Sequence, residues 1–345
     1  MFLRHSDGAN TGWALMSSLF ESSPYVELLS RLESQAGVVS SLAWSPDDNW
    51  LASTSLDGTL RLWSTSLRPN REPRFTAQST GSRPLNTVAW SPDSRYVACG
   101  SDGGRVDIWE AGTFKRVPHD DPGSTAPIRC LAWAPDGADE RRLAFGGDDR
   151  VVHFRNYAVW ARPHAERGIG HDGEIVSIAW APDSSTVVTG TEIGTIGVWQ
   201  PSTHDNQLRH VLGWSGIRAH EQAVLTLAWS ADNGILASGA LDGRLHLWNV
   251  KSGLLLDQLQ FADPILDLAF AARGRVLVVQ SRDYLRFIRV RPFREICSYE
   301  YPAFVSPARS VIAVDSEARI ATIAPDSHSS ILTVQSRHRI ADKGI

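Results

Sequence analysis

The sequence predicts an all-β fold made of one four-stranded antiparallel unit repeated along a single chain. Three observations carry this. First, a motif of the form apolar-x-x-apolar-Ala-Trp-Ser/Ala-Pro-Asp recurs, as Val39–Asp47, Leu85–Asp93, Ile128–Asp136, Ile175–Asp183, Val224–Asp232 and, with drift, Ile265–Arg273. Second, its aromatic position falls at Trp44, Trp90, Trp133, Trp180, Trp229 and Phe270, at spacings of 46, 43, 47, 49 and 41 residues. That is the period of one propeller blade. Third, each motif is followed by two short segments of alternating polarity joined at a tight-turn sequence.

The elements follow in order. In the first repeat the motif itself is one strand, and Pro46-Asp47 is a turn, with proline fixing φ at the corner. Trp50–Ser55 and Thr59–Trp63 are the second and third strands, joined by Leu56-Asp57-Gly58. Asp-Gly between such strands favours a hairpin because glycine tolerates positive φ. The hairpin returns at Ser101–Trp109, Gly147–Phe154, Glu192–Trp199 and Ala240–Trp248, and a fourth strand follows each, as in Gly253–Gln260. A seventh unit without a tryptophan marker is expected after residue 300, with strands at Tyr301–Val305, Arg309–Val314 and Arg319–Ile323. The expected architecture is a seven-bladed β-propeller of four-stranded antiparallel blades, closed by a terminal strand because an open ring leaves bare sheet edges. Tyr25–Glu33 stands where a fourth strand falls and is assigned to that closure, with Ile331–Val334 as its rival. The expected domain is residues 24–335, with repeats starting near 38, 85, 128, 175, 224, 265 and 302; residues 1–23 are an N-terminal edge segment and 336–345 a tail.

With these features in register, the sequence resembles the WD-repeat β-propeller family. In that family a His, a Ser or Thr, an Asp and the third-strand Trp form a hydrogen-bonded tetrad within a blade. The resemblance implies this tetrad at His220, Ser238, Asp242 and Trp248. The first repeat keeps Ser53, Asp57 and Trp63 without the His. The third keeps Asp148, with Phe154 at the Trp position. The fourth keeps His171, Thr189 and Trp199, with Ile193 where Asp is expected. The Trp-Asp dipeptide is absent: Ser64, Glu110, Gln200 and Asn249 follow the tryptophans. The repeats are degenerate.

Composition narrows the function. The chain has 345 residues, a formal net charge of −4, and three lysines against 31 arginines. That balance argues against a nucleic-acid binder. The three cysteines, Cys99, Cys130 and Cys297, are far apart and form no CxxC pair, so neither a disulfide framework nor a zinc site is expected. The opening residues contain no leader-like apolar core, and no run of 18 apolar residues occurs, so a cytoplasmic protein without a membrane span is expected. The glycines at 190, 194 and 197 lie in a hairpin and open no helix, which excludes a phosphate loop. His119-Asp120-Asp121 reads as a solvated linker. No nucleophile–base–orienter set is found, and no catalytic residue, metal or cofactor site is expected.

The resemblance also implies a partner face, where the first strands begin and the second strands turn into the third. The residue four before each repeat aromatic should point to it: Ser40, Asn86, Arg129, Val176, Leu225 and Leu266. The residue before the hairpin Asp adds Leu56 and Leu241. An apolar arc on the fourth to sixth repeats, centred on Leu225, Leu241 and Leu266, should face Arg129 across the ring; the alternative is that these leucines line the central channel. The expected function is a non-catalytic scaffold or sensor that binds a protein or peptide, as a monomeric propeller. The rivals are a recognition module of a bacterial signalling or defence system, an enzyme with a central-channel site, and a ribonucleoprotein component with Arg129, Arg150, Arg155 and Arg162 on one rim. Trp13, Trp160 and Trp214 lie outside the repeat register.

Overall fold

A computed structural model describes residues 26–33, 37–64, 73–118, 123–135, 142–157, 164–201, 208–210, 217–271, 274–282, 284–300, 312–314, 319–323 and 330–336. They form strands and turns, with one short 3₁₀ turn at Thr80–Ser82. The described strands make seven antiparallel sheets. The first runs Val39–Trp44, Trp50–Ser55, Thr59–Ser64, Phe75–Gln78, in chain order. The next five repeat that order and begin at Leu85, Ile128, Ile175, Val224 and Ile265, the starts of the repeat motifs.

Local chemistry explains the repeated turn. Ser45 donates its hydroxyl to Asp47 and accepts the Trp50 amide at 2.9 Å, while Asp48 takes a positive φ of 59°. Ser91 with Asp93, and Ser230 with Asp232, rebuild the same turn in the second and fifth sheets. The Ser of the motif thus closes the turn whose direction the Asp sets.

The core lies between successive sheets. Leu60, Leu62 and Ala77 of the first pack against Leu85, Val88, Trp90 and Val97 of the second. The same layering recurs between the later sheets. Each large apolar side chain buried in this way contributes about 1.5–3 kcal/mol. The motif's Ala-Trp pair also works across the gap. Trp90, Trp180 and Trp229 donate their indole N–H to the carbonyls of Ala43, Ala132 and Ala179, at 3.0, 3.0 and 3.4 Å. The alanine of one repeat therefore serves the tryptophan of the next.

The seventh sheet differs from expectation. Its order is Val26–Glu33, Ser330–Ser336, Arg319–Ile323, Ile312–Val314. Ile312–Val314 neighbours the first strands of the first and sixth sheets, so it holds the first-strand position rather than the second. Arg319–Ile323 is then second and Ser330–Ser336 third, one place earlier than read from the sequence. Without a tryptophan marker, nothing in the sequence pins the strand count there. Val26–Glu33 pairs with Ser330–Ser336 from Val26↔Ser336 to Glu33↔Ser330. Tyr301–Val305, Trp13, Trp160, Trp214, Arg162 and His119–Asp121 lie outside the described residues. Among those described, no helix is long and apolar enough to cross a membrane.

Candidate functional site

In six sheets the pairing of the first two strands slips by one residue at the same place. The residue left over is Ser40, Asn86, Arg129, Val176, Leu225 or Leu266. A bulge bends its strand and re-aims the extra side chain. These six residues and Leu241 line one cavity of about 760 Å³, on which the first strands of six sheets converge. Leu56 does not line it; it is 44% exposed on the turn of the first sheet. The predicted partner residues, Leu56 apart, therefore share one concave surface, and the leucines form part of its wall.

The wall is chemically divided. Val176, Leu225, Leu241 and Leu266 form an apolar arc, with Ile178 and Leu227 beside them. On the opposite arc the polar groups are engaged. Ser40, buried, donates to Leu85 O at 2.6 Å, and Asn86, buried, donates to Ile128 O at 3.0 Å and to Asp102 at 2.7 Å. Arg129 grips Asp148 with two hydrogen bonds of 2.7 Å and reaches Asp102 at 3.1 Å. This fork-to-carboxylate geometry is a strong form of ion pair, and the hydrogen bonds to Asp148 hold the guanidinium above its ordinary pKa. Desolvation, together with the charges of Glu192 and Asp148, raises the Glu174 carboxyl above its usual value. Glu174 and Asp267 also line the cavity, so its charge is acidic on balance. Among the described arginines, Arg155 does not stand on a rim: it is buried and donates to the carbonyls of Phe154 and Gly123.

The tetrad residues of the fifth repeat meet. Trp248 donates its indole N–H to Ser238 Oγ at 2.9 Å, and His220 Nε2 lies 2.8 Å from the same oxygen. Since Ser238 accepts from Trp248, its own proton points at His220, which makes Nε2 the acceptor and leaves the proton on Nδ1, 3.4 Å from Asp242. Burial, then the nearby His246, pushes His220 down to about 4. In the fourth repeat Trp199 donates to Thr189 at 2.9 Å and His171 Nε2 is 3.1 Å away, without an acid at Ile193. In the first, Trp63 donates to Ser53 at 2.9 Å. The third-repeat alignment is corrected by the strand register. Phe145 pairs with His153, and Leu143 with Arg155, so Arg155 and not Phe154 holds the Trp position. Asp149 and not Asp148 is the turn acid, 2.6 Å from His153, while Asp148 belongs to the Arg129 network.

One row of residues was missed in the sequence. Directly across from the tetrad Ser or Thr position, the third strands carry Arg61, Asp107, His153, Gly197, His246 and Arg286. Arg61 lies 3.9 Å from Asp57, Asp107 accepts from the Thr80 amide and hydroxyl, and Arg286 is flanked by Asp263 and Glu295. A charged residue between two apolar ones in the middle of a strand was the available signal. In the fourth repeat Gly197 makes room instead: a Cβ there would come within 2.7 Å of the His171 ring.

The family described as "WD domain, G-beta repeat" matches residues 26–64, 72–110, 166–200 and 213–249. Three curated relatives are similar over part of the chain. Protein HIRA of Zea mays is 32% identical over 87 residues, 21% of this chain and 9% of the relative. Protein HIR1 of Mycosarcoma maydis is 27% identical over 177 residues, 51% of this chain and 15% of the relative. Protein HIR1 of Yarrowia lipolytica is 36% identical over 104 residues, 24% of this chain and 9% of the relative. The matches thus span a small part of those proteins' length. Four matched repeats, the all-β propeller-like sheets and the Ser/Thr–Trp hydrogen bonds they contain together identify WD repeats in this chain between residues 26 and 249.

Proposed function

We propose that residues 24–335 form a closed seven-bladed propeller that acts as a non-catalytic protein-binding scaffold, with its partner docked over the cavity lined by the six bulge residues. The observation that carries this reading is the convergence of those bulges, repeated sheet after sheet, on one concave surface. Closure is supported by the pairing of Val26–Glu33 with Ser330–Ser336. The first family match, beginning at residue 26, also counts that strand with the repeat that follows it.

The wall's division suggests the partner's chemistry. Leu225, Leu241 and Leu266 suit an apolar side chain, and the negative charge that Glu174 and Asp267 bring to the wall suits a basic one. The partner is therefore read as a protein segment that sets an apolar residue beside a Lys or Arg. A buried apolar anchor would supply most of the affinity, and the charges would supply orientation and association rate. The non-catalytic reading is supported by Cys130, whose burial pushes the thiol up into its unreactive protonated form. The three free cysteines support placement in a reducing, cytoplasmic compartment.

The test is affinity capture by the intact chain and by the Leu225→Asp/Leu241→Asp double variant. The expected outcome is a partner retained by the first and lost by the second, at least tenfold weaker, about 1.4 kcal/mol, with the variant's thermal unfolding unchanged. Equal capture by both would overturn the site.

A further inference from the structure

The fifth repeat differs from the others in a way the tetrad does not require. The space beside the tetrad Ser or Thr position holds a loop histidine over a glycine in the fourth repeat, and third-strand Arg61 lies across from that position in the first, as Arg286 does, opposite Val279, in the sixth. In the fifth it holds two imidazoles. His220, from the loop before the first strand, lies against His246 of the third strand with centroids 4.3 Å apart and planes 18° from parallel. Both are buried, 2% and 5% exposed, and Trp248 meets His246 edge-on at 5.4 Å. Neither ring nitrogen of His246 has a hydrogen-bond partner among the described residues; Gln258 and the Ala219 backbone lie near without reaching normal geometry.

From this stack we infer that the fifth sheet is an acid-sensitive element: protonation of the His220–His246 pair loosens it and with it the turn that carries Leu241 into the partner cavity. The inference that the cavity responds rests on the partner reading above; the loosening of the sheet does not.

The chemistry follows from the contacts. His220 must stay neutral at Nε2, because that nitrogen accepts the proton of Ser238 while Ser238 accepts from Trp248. A proton on Nε2 would set donor against donor. A proton on His246 would sit on a buried ring, beside a second ring that would carry the same charge, and Gln258 and the Ala219 backbone offset that burial only in part. The charged groups around the pair offset this only in part. Asp242 faces His220, but its carboxylate already accepts the amides of Glu221 and Arg244 at 2.9 Å each. The Arg244 guanidinium is held by Glu221 at 2.8 Å and opposes a further cation. The outer strand contributes neutral Gln258, and the turn of the fourth sheet contributes the Gly194 carbonyl, which accepts the amides of Ala219 and His220.

The sign of the effect is fixed. Burial lowers both histidines in the folded chain, His220 to about 4 against 6.5 when exposed. The unfolded form therefore binds more protons, and stability present above 6.5 is lost as pH falls toward 4. The coupling to the cavity is short. Leu241 precedes Asp242, and the Leu241 amide is held by the Ala223 carbonyl at 2.9 Å, next to the bulge at Leu225.

Hydrogen exchange of the full chain between pH 7.5 and 5, corrected for intrinsic rates, tests the loosening without any partner. Amides of Ile235–Ala240 and Arg244–Asn249 should lose about 30-fold protection from His220 alone. Those of the second sheet, which contains no histidine between Leu85 and Arg116, should lose far less. His246→Phe, which keeps the stack without the titration, should shrink the loss in the fifth sheet. Equal loss in the two sheets, or the same loss in wild type and His246→Phe, would overturn the inference; if His246→Phe does not fold, the comparison of the two sheets decides. Partner capture repeated at pH 5 and 7.5 reads the coupling. Capture that fails at both values counts against the partner reading alone, while capture equal at both, with the fifth sheet loosened, removes the link to the cavity.

Discussion

At the scale of single residues, the fifth repeat concentrates its stability on one oxygen. Ser238 Oγ serves both Trp248 and His220, and all three are buried. Ser238→Ala removes the hydroxyl that two buried ring nitrogens share. A buried unsatisfied group costs about 1–3 kcal/mol, so a loss of about 3 kcal/mol is expected in denaturant unfolding. Ser53→Ala in the first repeat removes the partner of Trp63 with no loop histidine at stake, and about half that loss is expected. Near-equal losses would show that the histidine adds nothing. The Ser, His, Asp and Trp of the fifth repeat were all legible in the sequence. The His220–His246 stack was not, because a histidine in a polar-apolar alternation reads as a solvent-facing strand residue; only its pairing opposite Ser238 turns it inward.

At the scale of the element, the bulge and the turn do the positioning. The sequence marks the turns plainly, since Ser-Pro-Asp and Asp-Gly name their own hydrogen bonds. The bulge has no residue signature: Ser, Asn, Arg, Val and Leu all occupy it. It was legible only as a fixed offset from the aromatic position, and that offset led to the cavity lining without revealing why. The third-repeat hairpin was misaligned by one residue because Asp148-Asp149 offers two acids for one turn position. The turns also yield a test of backbone strain. Gly194 has φ of 88°, and a Cβ there would lie 2.2 Å from the His220 carbonyl oxygen. Gly81 has φ of 73° with nothing within 4 Å of a Cβ. Gly81→Ala should cost about 1 kcal/mol, the strain of a left-handed residue. Gly194→Ala adds a clash with backbone and breaks the link between the fourth and fifth sheets, so about 3 kcal/mol or more is expected. Denaturant midpoints of the two variants separate strain from collision, and equal midpoints would contradict the close approach.

At the scale of the molecule, six sheets follow a marker that the sequence repeats, and the seventh follows none. Its strands come from both ends of the chain, and their register depends on partners some 300 residues apart, Val26 with Ser336 and Glu33 with Ser330. Periodicity cannot locate such a strand, which is why the C-terminal strands were read one place late. The physical demand on this sheet is nonetheless strong. Without Val26–Glu33, the Ser330–Ser336 strand has no partner on its outer side and presents unpaired amides and carbonyls, a template for association. A chain beginning at Gly37 should therefore unfold at lower temperature and self-associate with rising concentration, while its fifth-sheet amides keep their protection at neutral pH because their contacts are local to the fourth and sixth sheets. Scanning calorimetry, light scattering and hydrogen exchange on the shortened and full chains measure these three quantities. A shortened chain that stays monomeric with an unchanged melting temperature would mean that the N-terminal strand covers the seventh sheet without closing the ring. Restored stability on adding a peptide of residues 24–36 would show that pairing across the termini, and not the mere presence of the segment, holds the ends together.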